Sequence, residues 1–193
     1  PIILSQSGNR KDSFMKALEL LYNNKKEMNP NIVEVGVTRL LDNVIDGDST
    51  SIWAWYISKY GGNYHGCDVS KDSLKVAEQV LRKYVLNSAR AGTVALTCKD
   101  GLEFLKNYQK PIDLLYLDTI DWVDGSYDSG IYHLKLTLEA INKVKVGGMI
   151  MFDDTFDVES YRGKAELAIP YLLGSNNFNC IYRGYQFIFR RDF

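Results

Sequence analysis

The stretch GGMIMFDDT, Gly147 to Thr155, decides the fold. Two glycines lead into four large apolar residues, Met149 to Phe152, with no polar side chain left for a solvated face. This is the pattern of a strand buried on both faces of a parallel sheet. The run then ends on Asp153 and Asp154, adjacent acids whose like charges repel. Upstream the same design recurs: IDLLYLD (112–118) ends on Asp118, NYHGCD (63–68) on Asp68, TVALT (93–97) is followed by Asp100, and NIVEVG (31–36) carries Glu34 and Gly36.

Between these strands lie segments of helical period. STSIWAWYISKYG (49–61) reads as a helix, with Trp53 and Trp55 expected in a core or interface. SKDSLKVAEQVLRKYV (70–85) reads as another, with Ser70 as N-cap and Leu74, Ala77, Leu81 and Tyr84 on one face. GLEFLKNY (101–108) is a short helix, and SGIYHLKLTLEAINKV (129–144) a longer one with Ile131, Leu134, Leu138 and Ile141 in register. A further helix is expected within ESYRGKAELAIPYLLG (159–174), and SFMKALELLYNN (13–24) forms one before the first strand.

Strands alternating with helices imply right-handed parallel crossovers. The expected fold is therefore α/β, a three-layer doubly wound, mostly parallel, Rossmann-like sheet. NFNCIYRGYQFIFRR (177–191) breaks the rhythm: its two strand-like runs meet around Arg183-Gly184, a connection suited only to an antiparallel hairpin. No repeat or linker interrupts the chain, so residues 1–193 read as one domain, a helical extension at 1–29 followed by a core at 30–193.

Composition narrows the function. Of 193 residues, 46% are hydrophobic, enough for one substantial core, and 23 basic residues face 24 acidic ones. Basic pairs such as Lys25-Lys26 and Arg190-Arg191 are short and far apart, and no nucleic-acid partner is expected. No apolar run approaches the roughly 20 residues of a membrane helix, and no secretory leader pattern opens the sequence, so no membrane partner is expected. Cys67, Cys98 and Cys180 are odd in number and form no C-x-x-C, which suggests neither a disulfide framework nor a thiolate zinc site and points to the reducing cytoplasm. A homo-oligomer is left open.

Open parallel sheets bind ligands outside the carboxyl ends of their strands, where the acids gather. A single acid there is commonly a helix cap; five strands agreeing is not explained by capping. A dinucleotide would need G-x-G-x-x-G, but Gly36 is followed by Val37, Thr38 and Arg39, and the next glycine is Gly47.

In order and spacing, VEVG, GDSTSIW, GCD, CKDGLEFL, DLLYLD and GGMIMFDD resemble the class I S-adenosylmethionine-dependent methyltransferases. The pattern is closest to the small metal-dependent O-methyltransferases of the catechol O-methyltransferase type. The resemblance spans roughly residues 30 to 155, and the hairpin suits the reversed last strand of that fold. It implies S-adenosyl-L-methionine as cofactor and a small-molecule acceptor bearing a hydroxyl, such as a sugar diol or a phenol.

It also implies roles. Gly36 would admit the cofactor's amino acid portion, with Gly47 the other glycine of that loop, and Glu34 would hold its ammonium. Ser49 and Thr50 would lie beside it. Asp68 would accept both ribose hydroxyls, and Asp100 would face the adenine, with Gly101 leaving room for the ring. Asp118, also beside the cofactor, would join Asp153 and Asp154 in binding a divalent cation, Mg2+ or alternatively Mn2+ or Ca2+, which would resolve the repulsion between the paired acids.

Two departures stand out. VTRLLDNVID (37–46) separates Gly36 from Gly47, where the family's loop is short. Asp121 stands where relatives often carry Lys or His as base; it is a base, a contact for a cationic group, or a sign of lost activity, and His133 is the alternative base. Trp122, Tyr127, Tyr161 and Arg162 are candidates for shaping an acceptor pocket. The competing readings are a metal-independent methyltransferase acting on another acceptor and a non-catalytic module that binds S-adenosylmethionine.

Overall fold

The computed structural model describes residues 8–23, 29–41, 48–85 and 92–193. Gly47 and the second half of the insertion after Gly36, residues 42–46, lie outside them. A single 3-10 turn (Gly8–Arg10) runs into α1 (Lys11–Asn23). Then follow β1 (Asn31–Val35), α2 (Ser49–Tyr60), β2 (Asn63–Asp68), α3 (Lys71–Val85), β3 (Val94–Cys98), α4 (Gly101–Asn107), β4 (Ile112–Leu117), α5 (Asp128–Ala140) and β5 (Val144–Phe152). The chain closes with β6 (Thr155–Asp157), β7 (Arg162–Gly163), α6 (Ala168–Leu173), β8 (Phe178–Arg183) and β9 (Phe187–Arg191).

Seven strands form one sheet in the order β3-β2-β1-β4-β5-β9-β8. β1 to β5 pair in parallel, while β9 runs antiparallel to both β5 and β8, giving the terminal hairpin. The strand order reverses between β1 and β4, which makes their carboxyl ends the natural ligand edge.

The apolar strands are continuous because both faces are covered. On β4, Leu115 and Leu117 pack with Ile150 and Phe152 of β5 on one face, towards α5 and α6. Leu114 and Tyr116 pack with Met149 and Met151 on the other face, towards α1 and α2. The two-residue period of the strands sends alternate side chains into the two layers, so both faces of these strands are apolar. α1 belongs to the second layer, with Phe14 edge-on to Trp53 at 5.4 Å and 6.0 Å from the Tyr116 ring.

Two expected helix faces change. The buried face of α5 is Ser129, His133, Leu136, Thr137 and Ala140. Ile131 and Leu138, expected inside, are exposed; His133 and Thr137 turn inward instead, Thr137 Oγ1 donating to the His133 carbonyl oxygen at 2.8 Å and His133 Nδ1 lying 2.9 Å from the Ser129 carbonyl oxygen, while His133 Nε2 is buried without a hydrogen-bond partner among the described residues. On α3 Ser70 does cap, its Oγ accepting from Ser73 N at 3.1 Å, but Ser73 and Val80 replace Leu74 and Tyr84 on the buried face. The helix expected within residues 159–174 is Ala168–Leu173, and before it Arg162–Gly163 forms β7, paired with β6. Among the described residues no helix is long and apolar enough to cross a membrane.

Candidate functional site

Two adjoining cavities open at the carboxyl edge. The first, about 350 Å³, lies between the ends of β1, β2 and β4 and is lined by Gly36, Ser49, Asp68 and Asp118 among others. The second, about 390 Å³, lies beyond β5 and is lined by Arg10, Trp122, Asp154, Phe156, Lys164 and Tyr185. Arg39, Asp118 and Asp121 belong to both.

Gly36 is fixed by geometry. Its φ is +86°, and an added Cβ would sit 1.8 Å from the carbonyl oxygen of Asp118. β1 and β4 therefore converge at their ends only because residue 36 has no side chain. Asp68 stands on the wall of the first cavity, its Oδ1 accepting from Ser70 N at 2.7 Å and its Oδ2 from Val37 N at 3.2 Å. Each carboxylate oxygen has a second lone pair, so the wall still offers acceptors to a diol.

Other residues assigned to the cofactor have different employment. Glu34 is fully buried, and its carboxylate accepts from Ser49 Oγ at 2.5 Å, Thr50 Oγ1 at 2.8 Å and the Tyr64 hydroxyl. It ties the start of α2 to β1 and does not line the cavity; burial pushes its pKa up to about 7 against the pull of these three hydroxyls. Thr50 Oγ1 also accepts from Thr38 N at 3.1 Å, ordering the loop after β1.

Asp100 caps α4, accepting from Leu102 N and Glu103 N, and it takes a 2.6 Å hydrogen bond from Tyr132 that holds its pKa below the ordinary carboxylate value. At Gly101 an added Cβ would meet Val35 at 2.6 Å and Leu136 at 3.1 Å, so this glycine serves the packing of α4. Neither residue lines the first cavity.

The candidate bases divide. His133 is fully buried, its Nδ1 2.9 Å from the Ser129 carbonyl oxygen, and burial lowers its pKa to about 4. It is a neutral core residue and lines neither cavity. Asp121 does stand at the cavity mouth, but Arg39 grips it with Nη1 at 3.0 Å and Nη2 at 3.3 Å, and this pairing lowers its pKa and weakens it as a base. Of the aromatic candidates, Trp122 lines the second cavity, 5.3 Å from the Phe156 ring, with the Arg162 guanidinium 4.8 Å over it. Tyr127 is exposed, and Tyr161 packs edge-on to Phe187 at 5.9 Å.

Asp118, Asp153 and Asp154 do come to one place, but their charges are met by side chains. Arg10 Nε lies 2.8 Å from both oxygens of Asp153, and its Nη2 is 2.6 Å from Asp154 Oδ1. Lys164 Nζ lies 2.5 Å from Asp118 Oδ1 and 2.8 Å from Asp154 Oδ2. Tyr116 donates to Asp153 Oδ2 at 2.8 Å and Tyr185 to Asp154 Oδ1 at 2.6 Å.

Asp153 is wholly buried; burial and then Asp118 raise its pKa, opposed by Arg10. For Asp154, burial is outweighed by Lys164, which holds the carboxyl low, and burial of Lys164 is outweighed in turn by Asp118 and Asp154, which raise its pKa. The paired acids are tolerable because guanidinium and ammonium lie between them.

This arrangement does not fit a divalent ion as the sequence reading expected. Asp118 Oδ1 and the oxygens of Asp153 and Asp154 already accept from Arg10, Lys164, Tyr116 and Tyr185. Among the described residues no three or more His, Cys, Asp and Glu side chains form a metal-ligand group.

The sequence reading missed Arg10, Lys164, Tyr116 and Tyr185. Two clues existed: buried acids require cations, and RGK (162–164) places a glycine before a lysine. Gly163 has φ +148°, and an added Cβ would lie 2.0 Å from the Asp154 carbonyl oxygen, so only glycine lets Lys164 come this close.

No protein-family model matches the chain, and no curated protein does. Solved structures do. The apo structure of TDP-rhamnose 3'-O-methyltransferase, an enzyme in calicheamicin biosynthesis, aligns over 94% of this chain and 80% of its own, with a TM-score of 0.63 and 15% identity. An O-methyltransferase from Bacillus cereus, in complex with S-adenosylhomocysteine, aligns over 99% and 91%, with a TM-score of 0.59 and 14% identity. A Podospora anserina methyltransferase, also bound to S-adenosylhomocysteine, aligns over 91% and 77%, with a TM-score of 0.57 and 12% identity. At such identities the likeness is one of architecture: the chain has the fold of S-adenosylmethionine-dependent methyltransferases.

Proposed function

We propose that the protein is an S-adenosylmethionine-dependent methyltransferase that acts, without a divalent ion, on a small hydroxylated acceptor with a flat apolar face. The observation that carries this reading is the pair of cavities meeting at Asp118, one beside Asp68 at the point where strand order reverses, the other walled by Trp122, Phe156 and Tyr185.

The residues of the first cavity fit the cofactor. Asp68 would take the ribose hydroxyls, the backbone at Gly36 would border the amino acid portion, and Ser49 and Asp118 would complete the wall. When bound, S-adenosylmethionine supplies an electrophilic methyl group. The protein's part is positioning and electrostatics. Trp122 and Phe156 would hold the flat face of the acceptor, and a fixed near-attack geometry is worth about 7 to 11 kcal/mol of a barrier. Asp121, which lines both cavities, would be the carboxylate to receive a hydroxyl proton; with its pKa lowered by Arg39 it would be a weak base, better matched to a phenol than to an alcohol.

The test is methyl transfer from labelled S-adenosylmethionine to a panel of phenols and sugar diols, with and without EDTA. Transfer that EDTA leaves unchanged is expected. Transfer that is abolished by EDTA and restored by Mg2+ would overturn the metal-free mechanism. Binding of S-adenosylhomocysteine with no transfer to any acceptor would favour the non-catalytic module, a reading that the Arg39–Asp121 pairing supports.

A further inference from the structure

Lys164 sits on no strand-end motif, yet it is the centre of the charged cluster. Its side chain is 5% exposed, and around Nζ stand Asp118 Oδ1 at 2.5 Å, Asp154 Oδ2 at 2.8 Å and Asp121 Oδ1 at 3.8 Å. The first of these distances falls within the roughly 2.0–2.6 Å of a hard cation to carboxylate oxygens, and the second lies just beyond it. The charge also matches: Arg10 and Lys164 together bring two positive charges to Asp118, Asp153 and Asp154, as many as one divalent ion would.

The placement is built in twice. Lys164 N donates to the Asp154 carbonyl oxygen at 3.1 Å, and Gly163 removes the side chain that would prevent this approach. Asp154 meets it in a left-handed conformation, φ 51°, uncommon for a residue with a side chain and found where surrounding contacts over-determine it.

We propose that the Lys164 ammonium occupies the seat of a divalent cation, making the carboxylate cluster of the second cavity ion-paired within the chain and closed to metal. The inference deepens the metal-free reading above and rests on it for its place in catalysis, though the seat can be tested without turnover. Removing the ammonium while keeping the acids should uncover the seat. A cation entering it would find Asp118 and Asp154 facing one another with Asp121 behind, an all-oxygen set suited to Mn2+ or Mg2+.

The experiment is a Mn2+ titration followed by electron paramagnetic resonance on the wild-type protein, Lys164→Ala and Lys164→Met, with S-adenosylhomocysteine binding measured on each. The methionine variant keeps the aliphatic stem should alanine loosen the fold. The expected result is no stoichiometric Mn2+ binding by the wild type and one site in a folded variant that is at least about tenfold tighter. One Mn2+ held tightly by the wild type, or a folded variant with no gain, overturns the proposal. The wild-type titration decides even if neither variant folds: a bound Mn2+ refutes the closed seat, and none sustains it. Failure of every protein to bind S-adenosylhomocysteine would instead strike the methyltransferase reading and leave the Mn2+ result standing.

Discussion

Replacing Arg10 by methionine isolates the contact on which the acid pair depends. Methionine keeps most of the stem and removes the guanidinium, whose Nε lies 2.8 Å from both oxygens of the fully buried Asp153. What remains for Asp153 is the Tyr116 hydroxyl and the backbone N–H of Asp154, each at 2.8 Å, two neutral donors against a whole charge. Breaking one side of a buried ion pair costs about 3–5 kcal/mol, chiefly because the abandoned charge stays buried. For a chain of this size that is a fall in Tm of roughly 6–20 °C.

The sign with pH follows from the same picture. Without Arg10, Asp153 takes up a proton on folding, so its folded pKa rises further above the unfolded value. That contribution is complete below the unfolded pKa and is lost as pH rises through the folded one. Arg10→Met should therefore lose more stability at pH 8 than at pH 5 in urea unfolding, and Arg10→Met combined with Asp153→Asn should recover much of the loss. A loss below about 1 kcal/mol with no pH dependence would place Arg10 among ordinary surface pairs and refute the reasoning.

Three further outcomes are expected. Gly36→Ala should destabilise by more than about 3 kcal/mol, since the strained φ and the 1.8 Å approach to Asp118 both penalise a Cβ; wild-type thermal unfolding by this variant would contradict the packing account of β1 and β4. Glu34, raised from its ordinary 4.5 to about 7, contributes stability that is full below pH 4.5 and lost as pH passes 7, about 3 kcal/mol in all, and Glu34→Gln should flatten that part of the stability profile in urea unfolding. Asp68→Asn should weaken S-adenosylhomocysteine at least about tenfold in calorimetric titration with little change in Tm, because a single charged acceptor for the ribose is worth about 1.5–3 kcal/mol.

The sheet was legible because its strands state their burial. Met149 to Phe152 and Leu114 to Leu117 leave no polar face, and the short link at Arg183-Gly184 permits only a hairpin. That Gly36 and Asp68 lie at the carboxyl edge, where they line the first cavity, was legible for similarly local reasons, one a backbone requirement and the other an acid ending a strand. What the sequence concealed was long-range. Nothing near Asp153 announces that its counter-ion is Arg10, 143 residues away, so the acids looked available for a metal. For Glu34 and Asp100 the concealed partners were hydroxyls, those of Ser49, Thr50 and Tyr64 on Glu34 and that of Tyr132 on Asp100, which an acid at a strand end does not announce. His133 looked reactive because histidine is the usual base near neutral pH, but helix phase, set by which face packs, turned it inward.

The central claim, a cofactor cavity for S-adenosylmethionine beside Asp68 with no call for a divalent ion, is tested most directly by unfolding the protein with S-adenosylhomocysteine in EDTA and again in Mg2+. At 100 times its Kd the ligand should add about 2.7 kcal/mol of stability, equally in both conditions. Absence of any shift would contradict the cofactor assignment, and a shift that appears only with Mg2+ would contradict the metal-free site.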